Sequence, residues 1–334
     1  MNSTGLLKYA GALLVLAICS ACGGQVQGDM AVAPSKAALN TGYGGETTAA
    51  VSRKFGALTR YPMIVPDRIA KSKYYEYVIN DYGSYAGIFD YPKGDAEIGK
   101  INDVGGQGCT NVLYGYGKKI FWIVAGADQI SEYRVPKKLI KNLSVSAGMP
   151  SSCAMDTTGD LAVGILYGSG GGDVVIFKNA SGSGSVVTSS LAREYFDGYD
   201  AKGNLFFDGF TGGSNFELLE IPAGSNKSET ITTSNTVKFP GSVQWDGTYL
   251  TVTDQVADAM YQYTINGTKA TLKGTVSLAD AGDCAQTWIA TGVVFCGDAG
   301  NGNGEVYKYP AGGSPIAVFT GEFDFPLGTV AAER

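Results

Sequence analysis

One strand-ending pattern recurs through this chain at intervals of 42 to 46 residues, and no other feature narrows the fold as far. It is read at Ile88-Phe89-Asp90-Tyr91-Pro92-Lys93-Gly94, at Ser131-Glu132-Tyr133-Arg134-Val135-Pro136 and at Ile176-Phe177-Lys178-Asn179-Ala180-Ser181-Gly182. It returns at Leu219-Glu220-Ile221-Pro222-Ala223-Gly224, at Tyr261-Gln262-Tyr263-Thr264-Ile265-Asn266-Gly267 and at Tyr307-Lys308-Tyr309-Pro310-Ala311-Gly312. The proline or its equivalent falls near 92, 136, 180, 222, 264 and 310.

A repeat of this length built from short strands is the mark of a β-propeller, one four-stranded sheet per repeat. The expectation is an all-β, six-bladed ring. Within a repeat, Asp197-Gly198-Tyr199-Asp200 leads through the turn Ala201-Lys202-Gly203-Asn204 to the strand Leu205-Phe206-Phe207-Asp208. Phe239-Pro240-Gly241-Ser242-Val243-Gln244-Trp245-Asp246, Gly247-Thr248 and Tyr249-Leu250-Thr251-Val252-Thr253-Asp254 repeat that order. Gly and Asn supply the positive φ such turns need, and alternating apolar residues give each strand a face to bury. The repeat that starts near Tyr74 lacks an opening strand, while Phe325-Pro326-Leu327-Gly328-Thr329-Val330-Ala331-Ala332 matches the opening of the fifth. The C-terminal strand is therefore expected to complete the first blade, leaving no open sheet edge.

The first residues belong to a different class of signal. Lys8 precedes the apolar run 10–18, which is too short to span a bilayer, and Cys19-Ser20-Ala21-Cys22-Gly23-Gly24 follows. This reads as a signal peptide over 1–21, with Cys22 as the lipidated first residue of the mature chain and residues 22–72 as a tether ahead of a propeller at 73–334. The ending resembles a bacterial lipobox, with Cys19 where Leu is usual; the alternative is an ordinary secretory signal cleaved near Ala21. Gly23, in place of an inner-membrane retention Asp, implies the outer membrane or cell surface by the same resemblance.

Loss of residues 1–21 leaves 24 basic and 31 acidic residues, a net charge of −7. An acidic chain without a basic cluster is a poor nucleic-acid binder. Cys109, Cys153, Cys284 and Cys296 have no metal-ligand spacing, and in an exported protein an even count reads as disulfides. Cys109 and Cys153 lie 44 residues, one repeat, apart; Cys284 and Cys296 are 12 apart and flank a hairpin. The expected pairs are 109–153 and 284–296, against the alternative of four buried thiols.

The order Pro-x-Gly, a strand ending in Asp, a Gly-Asn turn and a second strand ending in Asp is best kept at 239–254, 197–208 and 149–163. It resembles NHL-repeat propellers and the related six-bladed gluconolactonase family; the Tyr-Pro-x-Gly endings resemble those of bacterial lipoproteins of this fold. The resemblance implies the architecture, and the gluconolactonase likeness further implies a calcium-dependent hydrolase or lactonase with carboxylates around the central channel. Related propeller enzymes rely on catalytic or zinc-binding His, and this chain contains no His, so those chemistries cannot run by their family mechanism.

Two acidic series run through the repeats. Asp156, Asp200 and Asp246 end first strands; Asp208, Asp254 and Asp298 end second strands, with Asn80 or Asp81 as the first-blade member and Gly164 interrupting the third. Asp208, Asp254 and Asp298 are the candidate ligands for a hard cation such as calcium. The structural alternative is that each Asp accepts hydrogen bonds from the backbone of the next turn. Asp298-Ala299-Gly300-Asn301-Gly302-Asn303-Gly304-Glu305 has alternating oxygens without EF-hand spacing and reads as a long loop, itself a candidate weak calcium binder. Gly168-Ser169-Gly170-Gly171-Gly172 lacks the Lys-Ser/Thr of a phosphate loop and reads as a hairpin turn.

Tyr82, Tyr85, Tyr114, Tyr116, Tyr195, Tyr199, Trp245 and Trp288 lie near blade openings, where rings either pack between blades or stand ready for a ligand or partner. No nucleophile elbow is present. These features favour a monomeric, lipid-anchored, non-enzymatic module that binds an extracytoplasmic ligand or protein, with membrane contact through the lipid alone. The calcium-dependent hydrolase is the alternative, and a purely structural envelope protein is a third.

Overall fold

The structure, a computed structural model, describes residues 74–81, 84–110, 120–125 and 128–334. The signal segment, Cys22, the tether, Tyr82, Tyr114 and Tyr116 lie outside the described residues.

The described chain is all-β and its sheets form a propeller-like arrangement. In order come β1 (Tyr74–Asn80), β2 (Tyr85–Tyr91) and β3 (Gly99–Asn102), then β4 (Gly108–Thr110), β5 (Ile120–Val124), β6 (Gln129–Arg134) and β7 (Lys138–Ser144). Next are β8 (Gly148–Met155), β9 (Leu161–Gly168), β10 (Val174–Phe177) and β11 (Ser185–Val187), followed by β12 (Arg193–Tyr199), β13 (Leu205–Phe210), β14 (Phe216–Ile221) and β15 (Glu229–Thr233). The chain continues with β16 (Pro240–Trp245), β17 (Leu250–Asp254), β18 (Ala259–Asn266) and β19 (Lys269–Ser277). It finishes with β20 (Cys284–Ala290), β21 (Val293–Asp298), β22 (Asn303–Lys308), β23 (Ala317–Phe319) and β24 (Pro326–Glu333).

Position within a sheet explains composition. β21 is buried along its whole length, so Val-Val-Phe-Cys runs without polar alternation, as a strand covered on both faces requires. β19, the last strand of its series, alternates exposed Lys269 and Thr271 with buried Ala270. Large rings fill the space between sheets. Tyr77 of β1 meets Phe121 of β5 with centroids 4.1 Å apart, and Tyr91 of β2 meets Phe295 of β21 edge-on at 5.2 Å. Each such pair adds about 0.5–1.5 kcal/mol beyond the area it buries.

The C-terminal strand lies where the repeat predicts. β24 pairs antiparallel with β1 from Tyr74↔Glu333 to Asn80↔Pro326, and the Arg334 guanidinium bonds the Asp90 carboxylate at 2.8 Å. Both disulfides form as expected: Cys109–Cys153 ties β4 to β8 of the next sheet, and Cys284–Cys296 joins β20 to β21.

One expectation is corrected. In place of six separate four-stranded sheets there are four, and the other eight strands form one sheet ordered β12-β13-β14-β15-β19-β18-β17-β16. The joint is a short parallel pairing, Thr232↔Lys269 and Thr233↔Ala270. The long outer strand β19 presents unpaired backbone groups at its edge, and β15 supplies partners for them.

The first strands of the successive series, β24, β4, β8, β12, β16 and β20, contact one another in that order, and β20 contacts β24 again. They therefore surround a common axis. Gln107 Nε2 donates to the Tyr195 carbonyl of β12 at 2.7 Å, passing β8, and Gln286 of β20 reaches past β24 to the Gly108 carbonyl at 2.7 Å. These buried amides tie first strands of non-neighbouring sheets to one another.

Candidate functional site

Toward the hairpin ends of the first strands the axis opens into a cavity. Thr110, Cys153, Ala154, Met155, Asp197, Tyr199, Gln244, Trp245 and Trp288 are among its lining residues. Strand register explains why they converge. Cys153↔Val163, Phe196↔Asp208, Val243↔Val252 and Thr287↔Cys296 each flank a register shift. The next residue in each strand (Ala154, Asp197, Gln244 and Trp288) thus occupies one equivalent position around the axis.

Asp197 is 7% exposed, and neither carboxyl oxygen has a hydrogen bond of normal geometry. Burial first, and the neighbouring Glu194 second, hold its pKa well above the usual carboxylate range, opposed by the nearby Ser152 hydroxyl. That hydroxyl is committed to Glu194 Oε1 at 2.8 Å. Trp288 is 8% exposed and its Nε1–H is also without an acceptor. Leaving such groups unpaired costs on the order of 1–3 kcal/mol each. Both lie without accessible surface, beside a cavity whose wall includes Tyr199, Trp245 and Trp288 and which is the candidate ligand site. Gln244 is fully used: its Oε1 accepts the Ile289 N–H at 2.7 Å and its Nε2 donates to the Ile289 carbonyl at 3.5 Å.

Behind Asp197, Glu194 is completely buried between β8, β9 and β12. Burial pushes its pKa up to about 8 despite the Ser152 and Ser151 hydroxyls, so it is neutral at pH 7. Ser151 Oγ donates to Oε2 at 2.8 Å and lies 3.4 Å from the Gly164 carbonyl. Gly164 is present because the Glu194 carboxyl occupies its side-chain space; a Cβ there would stand 1.8 Å from Oε2.

The acidic residues expected to bind metal, Asp208, Asp254 and Asp298, are not among the lining residues of this cavity. Asp254 accepts from the N–H groups of Lys238, Phe239, Val256 and Ala257, and Asp298 from those of Gly282, Asp283, Gly300 and Asn301. Asn80 holds the equivalent loop through the Phe325 N–H, while Asp81 accepts from Gly106. Asp208 is out of register with them: it pairs with Phe196 before the shift, where β17 has Val252 and β21 has Cys296. Phe210, 44 residues before Asp254, is the true counterpart. Asp208 is fully buried without a hydrogen bond of normal geometry, and burial, then Glu194, keeps its pKa well above the carboxylate range.

Among the described residues, the set whose potential ligand atoms lie within 4.8 Å of one another is Cys284, Asp298 and Glu305. It brings neither Asp208 nor Asp254 to Asp298, and the Cys284 sulfur is held in a disulfide. Asp298 to Glu305 is a tight hairpin closed by Gly302 N–H to the Asp298 carbonyl at 2.9 Å, a correction to the long loop expected from its composition. The first acidic series locks hairpins: Asp156 accepts from Thr158, Gly159 and Asp160, Asp200 from Lys202 and Asn204, and Asp246 from Thr248 and Tyr249. These hairpins adjoin the cavity, so its rim is acidic.

Of the aromatics singled out in the sequence, Tyr199, Trp245 and Trp288 line the cavity. Tyr195 packs edge-on against Phe210 and Phe239, and Tyr85 stacks on Phe323. Asp197 and Glu194 were not legible as site residues. Two carboxylates, Glu194 and Asp197, inside a strand that also carries Tyr195, Phe196 and Tyr199 are the signal that points to them.

No family model matches this chain, and no curated protein matches it in sequence. Solved structures do. A protein of unknown function from Bacteroides caccae is 11% identical, with the alignment covering 79% of this chain and 100% of that one at a TM-score of 0.56. A chain of a nidogen/laminin complex is 10% identical, covering 78% of this chain and 98% of its own, at 0.59. At such identity the likeness establishes the fold alone. Together with the cycle of first strands, it places the chain among the β-propellers.

Proposed function

We propose that this protein is a lipid-anchored, six-bladed propeller of the cell envelope that binds a ligand at its channel mouth without transforming it. Reading the eight-stranded sheet as two blades fused at their outer edges is supported by the shortness of the β15–β19 joint and by the six first strands in cyclic contact. The signal-like segment ending at Cys22 supports the anchor, and two disulfides suit an oxidising compartment.

The observation that carries the binding assignment is one cavity at the hairpin end of the axis, walled by Tyr199, Trp245 and Trp288 together with Asp197. That a solved neighbour comes from a complex fits a binding role for this fold.

The test is tryptophan emission of the detergent-solubilised full-length protein, titrated with a panel of small cationic, anionic and neutral solutes. Trp122 is buried and is not among the cavity-lining residues, so a saturable change should come from Trp245 and Trp288 and shrink in Trp288→Phe. A panel without any Trp288-dependent change would remove the channel mouth as the binding site.

A further inference from the structure

We propose that the hairpin joining β6 to β7 is a contact for an anionic lipid surface, so that the protein meets its bilayer through side chains as well as through the anchor. This rests on the lipid-anchor reading above and adds a second, chemically distinct contact to it.

In an acidic chain this hairpin gathers cations. Arg134, Val135, Pro136, Lys137 and Lys138 turn the chain, and Leu139, Ile140 and Lys141 follow at once. Lys141 is committed within the fold: its Nζ donates to the Ala180 carbonyl at 2.7 Å and pairs with Glu132 at 3.3 Å. Arg134, Lys137 and Lys138 are exposed, and none of them forms an ion pair with a described residue. Arg134 and Lys138 are also register partners, directly opposite each other at the base of the turn. Like charges so placed weaken a strand pair, and a negative surface converts that cost into attraction.

The apolar part of the contact lies beside them. Leu139 is 50% exposed and Ile140 is 41% exposed. They are consecutive, whereas the other exposed large apolar residues among those described (Ile98, Met149, Val186 and Ile316) stand singly, as is ordinary on a surface. Ile140 is the extra residue of a bulge, since Tyr133 pairs with Leu139 and Glu132 with Lys141. Bulges and lysines keep an edge strand from pairing with another, which argues against strand addition by a protein partner. They do not account for a Leu and an Ile held in water. Two aliphatic side chains flanked by unpaired cations match the interface of a bilayer, where ammonium and guanidinium groups reach phosphates while apolar groups enter the acyl boundary.

The position suits the tether. The Tyr77 hydroxyl of β1 donates to the Pro136 carbonyl in this turn at 2.7 Å. The first residue of β1 is Tyr74, so the chain leading from Cys22 joins the ring about 10 Å along the strand from that contact. Of the anionic partners these cations would accept, the bilayer is the one the anchor keeps within reach of the turn.

The experiment is residue-by-residue amine labelling of the full-length protein as isolated from its membrane, using a membrane-impermeant reagent. It is run in detergent, in phosphatidylcholine vesicles and in vesicles that also contain phosphatidylglycerol. Lys227 and Lys269, exposed at the turns of other sheets, are the internal references. With phosphatidylglycerol present, Lys137 and Lys138 should label at least about fivefold more slowly against the references, and high salt should shrink that difference. Leu139→Ser/Ile140→Ser keeps both lysines as reporters and should bring the protection below about twofold. If that variant does not fold, the native protein in the two kinds of vesicle decides. Equal labelling in both kinds, or no protection in either, overturns the proposal. Protection already present in detergent and growing with protein concentration gives the patch to a second copy of this chain and overturns it too. Intact mass decides the anchor separately: a chain without acyl mass overturns the lipid-anchor reading. Flotation of that chain with the two kinds of vesicle then tests the hairpin alone; flotation only with phosphatidylglycerol supports the contact, and any other result overturns it.

Discussion

Glu194 is a buried acid filling the side-chain space of a glycine two strands away. Its folded pKa of about 8 lies above the 4.5 of an exposed glutamate. A group raised in this way contributes stability fully below pH 4.5 and loses that contribution as pH climbs toward 8. Glu194→Gln, which keeps the neutral form, is expected to match the native protein near pH 4.5. At pH 8 it should be more stable by roughly 2–4 kcal/mol, since one pH unit corresponds to about 1.4 kcal/mol. Urea unfolding at both pH values checks this. Gly164→Ala should cost about 2–3 kcal/mol by driving a methyl into that carboxyl, and most of the loss should vanish when Glu194→Ala is made with it.

Among the elements, second strands end either in a loop lock or in an apolar residue, and the two behave differently on substitution. Asp254→Ala strands four backbone N–H groups and is expected to cost about 3 kcal/mol or more. Asp208→Asn, which has no hydrogen bond of normal geometry to lose, should stay within about 1 kcal/mol of the native protein in the same denaturant assay. Equal effects would contradict the register that separates them. That register also marks the limit of what could be read in advance. Strand endings and the Cys pair one repeat apart were visible because every sheet repeats the same turn chemistry. The interval of 46 between Asp208 and Asp254, against 44 between Asp254 and Asp298, already hinted that the first is displaced by two residues. What stayed hidden depends on side chains from different sheets: Asp197 meets the surroundings of Trp288 across 91 residues, and no local pattern records that they share a cavity. The β15–β19 joint was invisible for a similar reason, because two backbone pairs leave no trace in composition.

At the level of the whole molecule, ring closure rests on β24. It supplies the partner edge for all of β1 and contacts β4 and β20 on either side. Deleting residues 326–334 uncovers the β1 edge and removes Val330, Ala331 and Ala332 from the core. The truncated chain is expected to lose its cooperative thermal transition and to aggregate, read by near-ultraviolet circular dichroism and light scattering; a normal melt would show that the ring does not need the strand. The same arrangement has a consequence in time. The strand that lies beside the earliest part of the ring is made after every other described strand. Until residues 326–333 emerge, the first sheet is one strand short. The ring can therefore shut only after all the other blades have been made.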